Sequence, residues 1–326
     1  MATLAGVLHL TGRGPTQAEL RAMSRRGCGD PGPSEAGLAL LGDATRCEGL
    51  VVQLDGWIDD QDDLVRRTGN KPADTTPEQA LALAWRKWGI QCFDRIDGEF
   101  SVAIWDSATR RLTLARDRMG TRPLFWTRKD HRFAFATSLP ALLELPWVDR
   151  TIAREHLAEY LSFGTVHAPR TLARGIHQVE PAHWLRIDPD DLTTRRWWRP
   201  HYAPVGTPVP RPSDVVPALQ EAVERSVRRR LRTGLRPALY LSGGLGSTAI
   251  AAAARTLGRT LPSFTVTLSD DPHPESPFAG RIARLLHLEH NETVVESRDV
   301  VAAFEKAADA MVAKGLAAAG YTGTEL

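Results

Sequence analysis

The sequence predicts two domains of different fold class, a layered α+β domain followed by an α/β domain with a parallel sheet. Strand-like apolar runs dominate the first 198 residues. Five prolines then lie between Arg199 and Ser213, which excludes a helix interior there. Beyond them, helical and strand patterns alternate, as in doubly wound sheets. We therefore predict domains at residues 1–198 and 213–326, joined by a linker at 199–212.

The first domain shows both the two-residue periodicity of strands and the 3.6-residue periodicity of helices. The Asp55-Gly56 pair is typical of a turn and is expected to end the first of its strands. Pro77 suits the first turn of a helix. Strands are predicted at 49–54, 100–106, 112–116 and 133–136, and helices at 77–89 and 153–161. Sheets combined with two or more helices indicate layered α+β packing.

The second domain begins with a helix over 214–231, for which we expect Ser213 as the N-cap. Leu219, Val223 and Val227 form its apolar stripe. Two strand–helix units and a third strand follow, with strands at 237–240, 263–268 and 292–295 and helices beginning at 248 and 276. The sequence thus predicts a parallel α/β sheet that is incomplete.

The most informative segment is the turn between the first strand and first helix of that sheet. It reads Leu241, Ser242, Gly243, Gly244, Leu245, Gly246 and Ser247. Glycines allow a phosphate to approach the backbone, and helix N-terminal amides attract anions. The spacing does not fit the Walker pattern, because no Gly-Lys-Ser/Thr follows. A Gly-rich turn without a ligand is the alternative at this point.

Composition gives no sign of a nucleic-acid or membrane protein. The formal net charge is +2, and no apolar run approaches the roughly 20 residues of a membrane span. The three cysteines, Cys28, Cys47 and Cys92, lack metal-ligand spacing. Together with the absence of an export signal at the start, they favour a reducing cytoplasm.

Longer motifs resemble the asparagine synthetase superfamily over nearly the whole chain. Residues 96–106 resemble the core motif of its glutaminase domain, and residues 114–125 resemble its ARDRxGxxPL stretch. The turn at 242–247 resembles the SGGxDS loop of N-type ATP pyrophosphatases. The strand at 263–266 resembles the strand that borders the adenine in that family.

The resemblance implies an N-terminal αββα sandwich of the Ntn-hydrolase, class II amidotransferase type. It also implies an ATP-pyrophosphatase domain that uses ATP and Mg²⁺ to activate a carboxylate as an acyl-adenylate, which an amine then attacks. By resemblance, Leu241 and Val266 would border adenine. Within the ATP-binding segment 241–247, the residues around the phosphates would be Ser242, Gly243, Gly244 and Ser247. The implied partners are ATP and a carboxylate substrate.

Several departures from the family pattern predict that glutamine is not hydrolysed. Ala2 stands where the family has its nucleophilic Cys, and a methyl group cannot attack an amide. Asp55 stands where the family has the Asn that donates to the oxyanion, and losing such a donor costs about 3–4 kcal/mol. Pro77 occupies the position expected for a glutamine-binding Asp, and Arg46 is the nearest candidate for the carboxylate-binding Arg.

The synthetase half departs from the pattern at Gly246, where the loop normally holds an Asp that helps to bind Mg²⁺. Magnesium binding is therefore expected to be weakened. Asp270, Asp271 or Glu275 could supply carboxylates, although a polar loop is the favoured interpretation. We also find no counterpart of the family's later acidic motif or late catalytic lysine.

The resulting hypothesis is an ATP-dependent amide-forming ligase of asparagine synthetase type without glutaminase activity. A β-lactam- or lasso-peptide macrolactam-forming cyclase is the alternative within the family, because such relatives have also lost the nucleophile. A degenerate, non-catalytic paralogue that binds nucleotide or acts as a scaffold is the alternative outside enzymes. Both a homodimer and association with a full-length relative stay open.

Overall fold

The computed structural model describes residues 4–26, 28–72, 74–188, 191–208, 210–231, 236–270, 276–296, 298–300, 303 and 306. The chain separates into two compact units between His201 and Tyr202, and the second unit ends at Lys306. This division lies within the segment 199–212. None of the helices in the described part of the chain combines the length and apolar character needed to cross a membrane.

The first unit contains two six-stranded antiparallel sheets. In one sheet the spatial order is β10 (Ile176–Gln178), β8 (Phe125–Lys129), β9 (Arg132–Ala136), β1 (Ala5–His9), β3 (Leu38–Leu41), β2 (Pro31–Glu35). In the other it is β12 (Leu192–Arg196), β11 (His183–Ile187), β7 (Arg111–Arg116), β6 (Gly98–Asp106), β5 (Leu50–Ile58), β4 (Thr45–Cys47). The predicted pairing of 100–106 with 112–116 is confirmed, since β6 and β7 form an antiparallel pair.

The helices of this unit are α1 (Gln17–Ser24), α2 (Gln61–Thr68), α3 (Pro77–Trp88), α4 (Leu139–Leu143) and α5 (Leu157–Phe163). Short 3-10 segments cover Gly89–Arg95 and Arg154–His156. Pro77 is the first residue of α3, where its missing N–H is tolerated, and Thr76 caps this helix by accepting from the Gln79 amide. The predicted helix over 153–161 is instead a 3-10 turn that continues into α5, because regular helix geometry starts only at Leu157.

Three hydrophobic clusters show how the layers are stacked. One lies between the two sheets and contains Leu8 and Phe135 from the first sheet with Trp105 and Leu114 from the second. Another packs the outer face of the second sheet against α2 and α3, and the last packs the outer face of the first sheet against α1 and α4. The order of layers is therefore α, β, β, α, which confirms the predicted sandwich.

The predicted turn at Asp55-Gly56 is wrong, because β5 continues through both residues to Ile58. Gly56 has a φ of 122° within the strand and lies opposite Phe100 of β6. A Cβ at Gly56 would lie 1.9 Å from the Glu99 carbonyl oxygen. The glycine therefore serves a close approach between two paired strands, not a change of chain direction. This places Asp55 on a rigid strand.

The loop after β7 is organised by the buried carboxylate of Asp117, which is 1% exposed. One of its oxygens accepts from the Met119 and Thr121 amides at 3.0 Å each, and the other from the Arg122 amide at 3.0 Å and the Phe100 amide at 3.3 Å. The ARDR stretch is thus a structural motif here, because Asp117 fixes the position of the Arg122 backbone.

We expect Asp117→Ala to destabilise the protein by about 2–4 kcal/mol, because four N–H groups lose their acceptor and one of them, that of Phe100, is buried. Urea unfolding measures the change. Asp63→Ala, which removes an exposed carboxylate 3.9 Å from Arg67, is the matched control and should change stability by less than about 0.5 kcal/mol. Equal stability of the two variants would contradict a structural role for Asp117.

The second unit contains a three-stranded parallel sheet in the order β13 (Leu239–Tyr240), β14 (Ser263–Leu268), β15 (His290–Val295). Its helices are α6 (Pro212–Arg230), α7 (Leu245–Thr256) and α8 (Ser276–Leu285). Val227, Leu239, Leu241 and small residues of α7 and α8 form its core. This agrees with the predicted partial α/β domain. Asp271, Glu275 and the segment 307–326 lie outside the described residues.

Two details of α6 differ from the prediction. Its N-cap is Arg211, so Ser213 lies inside the helix, because helical geometry already begins at Pro212, a residue suited to the first turn. Only the C-terminal part of the predicted apolar stripe is covered. Val227 is buried and Val223 packs against the core, but Leu219 is 60% exposed.

Candidate functional sites

The glycine-rich segment lies at the carboxyl end of β13, where the chain enters α7. Gly244 is the N-cap of α7, no side chain caps this end, and its first turn holds no acidic residue. The amides of that turn and the positive end of the helix dipole are therefore available to an anion. The turn between strand and helix at residues 242–247 lies where the sequence predicts it, and anion binding there stays a prediction.

Gly243 is held against the start of α8. Its φ is 81°, and a Cβ at this position would lie 2.7 Å from the Ala279 amide nitrogen and 2.8 Å from the Phe278 Cβ. No other residue type fits without displacing one of the two elements. The close approach of α8 therefore sets the conformation of the segment before any ligand binds.

The two serines of the segment are joined to each other. The Ser242 and Ser247 hydroxyl oxygens are 3.1 Å apart, and Ser242 Oγ accepts from the Gly244 amide at 3.3 Å. Ser247 Oγ also donates to the Gly244 carbonyl at 3.2 Å. Both hydroxyls thus form their hydrogen bonds within the turn. They would have to break these bonds in order to donate to a phosphate.

The predicted adenine neighbours occupy different environments. Leu241 is fully buried in the core, its amide donates to the Phe264 carbonyl at 2.8 Å, and its carbonyl accepts from the Thr265 hydroxyl. Val266 in β14 is 49% exposed. The Val266 side chain is therefore accessible to a ligand, whereas the Leu241 side chain supports the sheet.

Gly246 has space beside it, since a Cβ there would have no atom of the described residues within 4 Å. Leu245 beside it is 90% exposed. Neither residue supplies a metal ligand, and no group of three or more His, Cys, Asp or Glu suited to a metal ion occurs among the described residues. The loop therefore offers backbone donors for an anion but no carboxylate for Mg²⁺.

The second candidate site surrounds Asp55 in β5. Its carboxylate oxygen lies 3.7 Å from Arg122 Nη1, and the Arg122 guanidinium lies over the Trp57 ring at 5.2 Å from the centroid. Asp55 is 9% exposed. Burial raises the pKa of Asp55, and Arg122 and a hydrogen bond with Thr137 offset part of this increase. An ion pair thus stands where the family pattern has an amide donor.

The other residues predicted for this site are not brought together with Asp55 by a described contact. Arg46 Nη1 pairs with the Glu35 carboxylate at 2.6 Å. Pro77 serves as the first residue of α3. Ala2 lies outside the described residues, so its assignment depends on the sequence alone.

Sequence reasoning missed Trp57 and Arg122 as members of this site. Arg122 lies at a variable position of the ARDRxGxxPL stretch, so the motif gave it no role. Trp57 directly follows the turn that was predicted at Asp55-Gly56, so it was not expected beside Asp55. Their meeting depends on the antiparallel register of β5 with β6 and on the loop that Asp117 holds. The pairing of these strands is unbroken but includes polar pairs such as Asp55 with Ser101, so the apolar pattern of the sequence gave no signal for this meeting.

Comparisons with known proteins match both units. The glutamine amidotransferase domain model matches residues 64–198, and the asparagine synthase model matches residues 218–321. Asparagine synthetase (glutamine-hydrolyzing) 3 of Bacillus subtilis strain 168 is 26% identical over 259 residues, covering 74% of this chain and 42% of the relative. A putative asparagine synthetase (glutamine-hydrolyzing) of Mycobacterium tuberculosis strain ATCC 25618 / H37Rv is 30% identical over 258 residues, covering 76% and 39%.

The chain therefore spans about two-fifths of the length of these relatives. Among solved structures, a glutamine phosphoribosylpyrophosphate amidotransferase from B. subtilis, complexed with ADP and GMP, superposes with a TM-score of 0.40 at 11% identity. That superposition covers 89% of this chain and 65% of the other.

We expect Gly243→Ala to lose stability by about 1–3 kcal/mol, because the left-handed backbone and the contact with α8 both reject a side chain. Gly246→Ala is the matched control in the same loop and should be neutral or stabilising, since its Cβ meets open space and alanine favours the helix. Thermal unfolding distinguishes the two. A stable Gly243→Ala protein would show that α8 does not constrain the segment.

We expect Asp55→Asn to stabilise the protein at pH 7, because burial raises the pKa of this carboxyl in the folded state. The cost of its ionisation appears as the pH rises through the folded pKa and vanishes below the unfolded pKa. The advantage of the variant should therefore shrink towards about pH 4. Urea unfolding at both pH values measures it, with the exposed Asp63→Asn as the control. A variant that is less stable at pH 7 would mean that the Arg122 pair outweighs burial.

Proposed function

Because the chain belongs to the asparagine synthetase superfamily, we propose that it binds ATP at the segment 242–247 as part of an amide-forming ligase. In this reaction a carboxylate oxygen of the substrate attacks the α-phosphorus of ATP and pyrophosphate leaves. The nitrogen of ammonia or an amine then attacks the acyl carbon, AMP leaves, and the nitrogen loses a proton.

The observation that carries this proposal is the uncapped start of α7 beside Gly243. The Gly243 backbone is fixed by α8, and the amides after Gly244 face the carboxyl end of the sheet without a capping side chain. A preformed set of main-chain donors suits the pyrophosphate part of ATP, because no reorganisation is needed to stabilise its charge. Ser242 and Ser247 would add donors once their mutual bond opens.

The first unit, in this proposal, does not supply ammonia from glutamine. Ala2 lacks a nucleophilic atom, and Asp55 offers a carboxylate where an oxyanion would need a donor. The Arg122 guanidinium, stacked over Trp57, faces that carboxylate. Free ammonia or an amine of the substrate is therefore the proposed nucleophile, and the second option would make the protein a cyclase.

Magnesium does not fit the loop as built, because Gly246 leaves its usual carboxylate missing and the space there is open. We assign no step to the metal. The same observation favours a second candidate function, a non-catalytic nucleotide-binding or scaffolding protein, in which the amides hold ATP but the adenylation step does not proceed.

We expect ATP–pyrophosphate exchange with a panel of carboxylates to separate the two functions. Exchange in the wild-type protein supports the ligase, and nucleotide binding without exchange supports the non-catalytic protein. Gly246→Asp restores a hard oxygen ligand in open space, and should raise the apparent affinity for Mg²⁺–ATP by about tenfold, as one added carboxylate ligand would.

Gly246→Asn is the matched control for size and should not give this increase. The wild-type preparation should release no glutamate from glutamine above the buffer rate. Equal Mg²⁺–ATP affinity for the Asp and Asn variants would place the phosphates elsewhere, and release of glutamate would overturn the inactive assignment of the first unit.

A further inference from the structure

Three cations from separate elements converge on the indole of Trp88, in the first unit. The Arg67 guanidinium carbon, Lys87 Nζ and the Arg95 guanidinium carbon lie 5.8, 5.4 and 5.2 Å from the ring centroid. Trp88 packs against the core beneath α3 and is half-buried, so the ring is held in place. Arg67 and Lys87 are exposed and Arg95 is half-buried. We call Arg67, Lys87 and Arg95 the Trp88 cation cluster.

Carbonyl groups, more than carboxylates, hold this cluster together. Lys87 Nζ donates to the Arg67 carbonyl at 2.7 Å, and Arg95 Nη1 donates to the Gln91 carbonyl at 2.8 Å. Within the described part of the chain, the one ion pair that includes the cluster joins Arg67 Nη1 to Asp63 Oδ2 at 3.9 Å. Its positive charge is therefore largely uncompensated.

Helix dipoles account for part of the arrangement. Arg67 and Lys87 lie in the last turns of α2 and α3, where the helix dipole stabilises a cation. Arg95 belongs to the following 3-10 segment, yet reaches the same ring. Dipoles do not explain why three elements direct like charges to one indole, because bringing like charges together is unfavourable without an anion.

We propose that the Trp88 cation cluster is a docking surface for an acidic polypeptide segment. Two guanidinium groups and a lysine gathered at one ring match several carboxylates of a peptide, since guanidinium binds carboxylate through paired hydrogen bonds. Contact with the indole restrains the cations, which lowers the entropy lost on binding.

A nucleic acid fits this surface less well. The indole already has three cations over it, so it does not offer a free face on which a base could stack. The whole chain carries a formal net charge of only +2, so it offers little further attraction to the phosphate groups of a nucleic acid. An acidic peptide needs only a local patch.

Fluorescence anisotropy with a labelled peptide of twelve glutamates tests this proposal. A labelled twelve-nucleotide oligouridylate, measured in the same way, represents the alternative ligand, a nucleic acid. We expect the peptide to bind the wild-type protein at low salt, and Arg67→Glu/Lys87→Glu/Arg95→Glu to weaken binding by about tenfold or more. Arg13→Glu/Arg21→Glu/Arg25→Glu makes the same change of net charge at other exposed positions and should weaken it by less than about threefold. Circular dichroism checks that each variant is folded.

If the triple variant does not fold, the single variants Arg67→Gln and Arg95→Gln provide the test, each with an expected loss of about threefold. Arg21→Gln is their control and should bind as the wild type does. The proposal is overturned if the wild-type protein does not bind the peptide, if both triple variants lose affinity equally, or if the oligonucleotide binds more tightly than the peptide.

Discussion

The close contact between Gly243 and the first turn of α8 is the constraint on which the second unit depends. It forces a left-handed backbone at one residue, and this lets the chain leave β13 and start α7 within a few residues. The uncapped amides of α7 then lie at the carboxyl end of a parallel sheet, where ligands of α/β proteins bind. The position of the turn between β13 and α7, where we propose the anion site, thus depends on this close approach.

The first unit has a comparable centre in Asp117. Its four accepted hydrogen bonds set the loop after β7, and that loop carries Arg122 to the neighbourhood of Asp55. The αββα sandwich of this unit therefore depends on buried polar groups such as Asp117 as well as on its apolar clusters. The proposed loss of the nucleophile at Ala2 is compatible with this scaffold, because different residues are responsible for each.

Much of this fold follows from the sequence. Alternating apolar residues identified the β6–β7 pair, and Pro77 marked the start of α3, because both are local features. The turn at Asp55-Gly56 was wrong, because a glycine with positive φ serves a tight turn and a close strand contact equally well. The meeting of Asp55, Trp57 and Arg122 could not be predicted, since it depends on strand register and on a loop held by Asp117. The Gly-rich segment was predicted as an anion site, but its fixation by α8 needed the structure.

The central claim is that the main-chain amides at the start of α7 bind polyphosphate. Titrating pyrophosphate into ¹⁵N-labelled protein and following the amide resonances of Gly244, Leu245, Gly246 and Ser247 tests it most directly. We expect these resonances to shift most and to saturate together, and we expect Gly243→Ala to abolish the shift in a protein that is still folded. Unchanged resonances at millimolar pyrophosphate, or shifts confined to other parts of the chain, would contradict it.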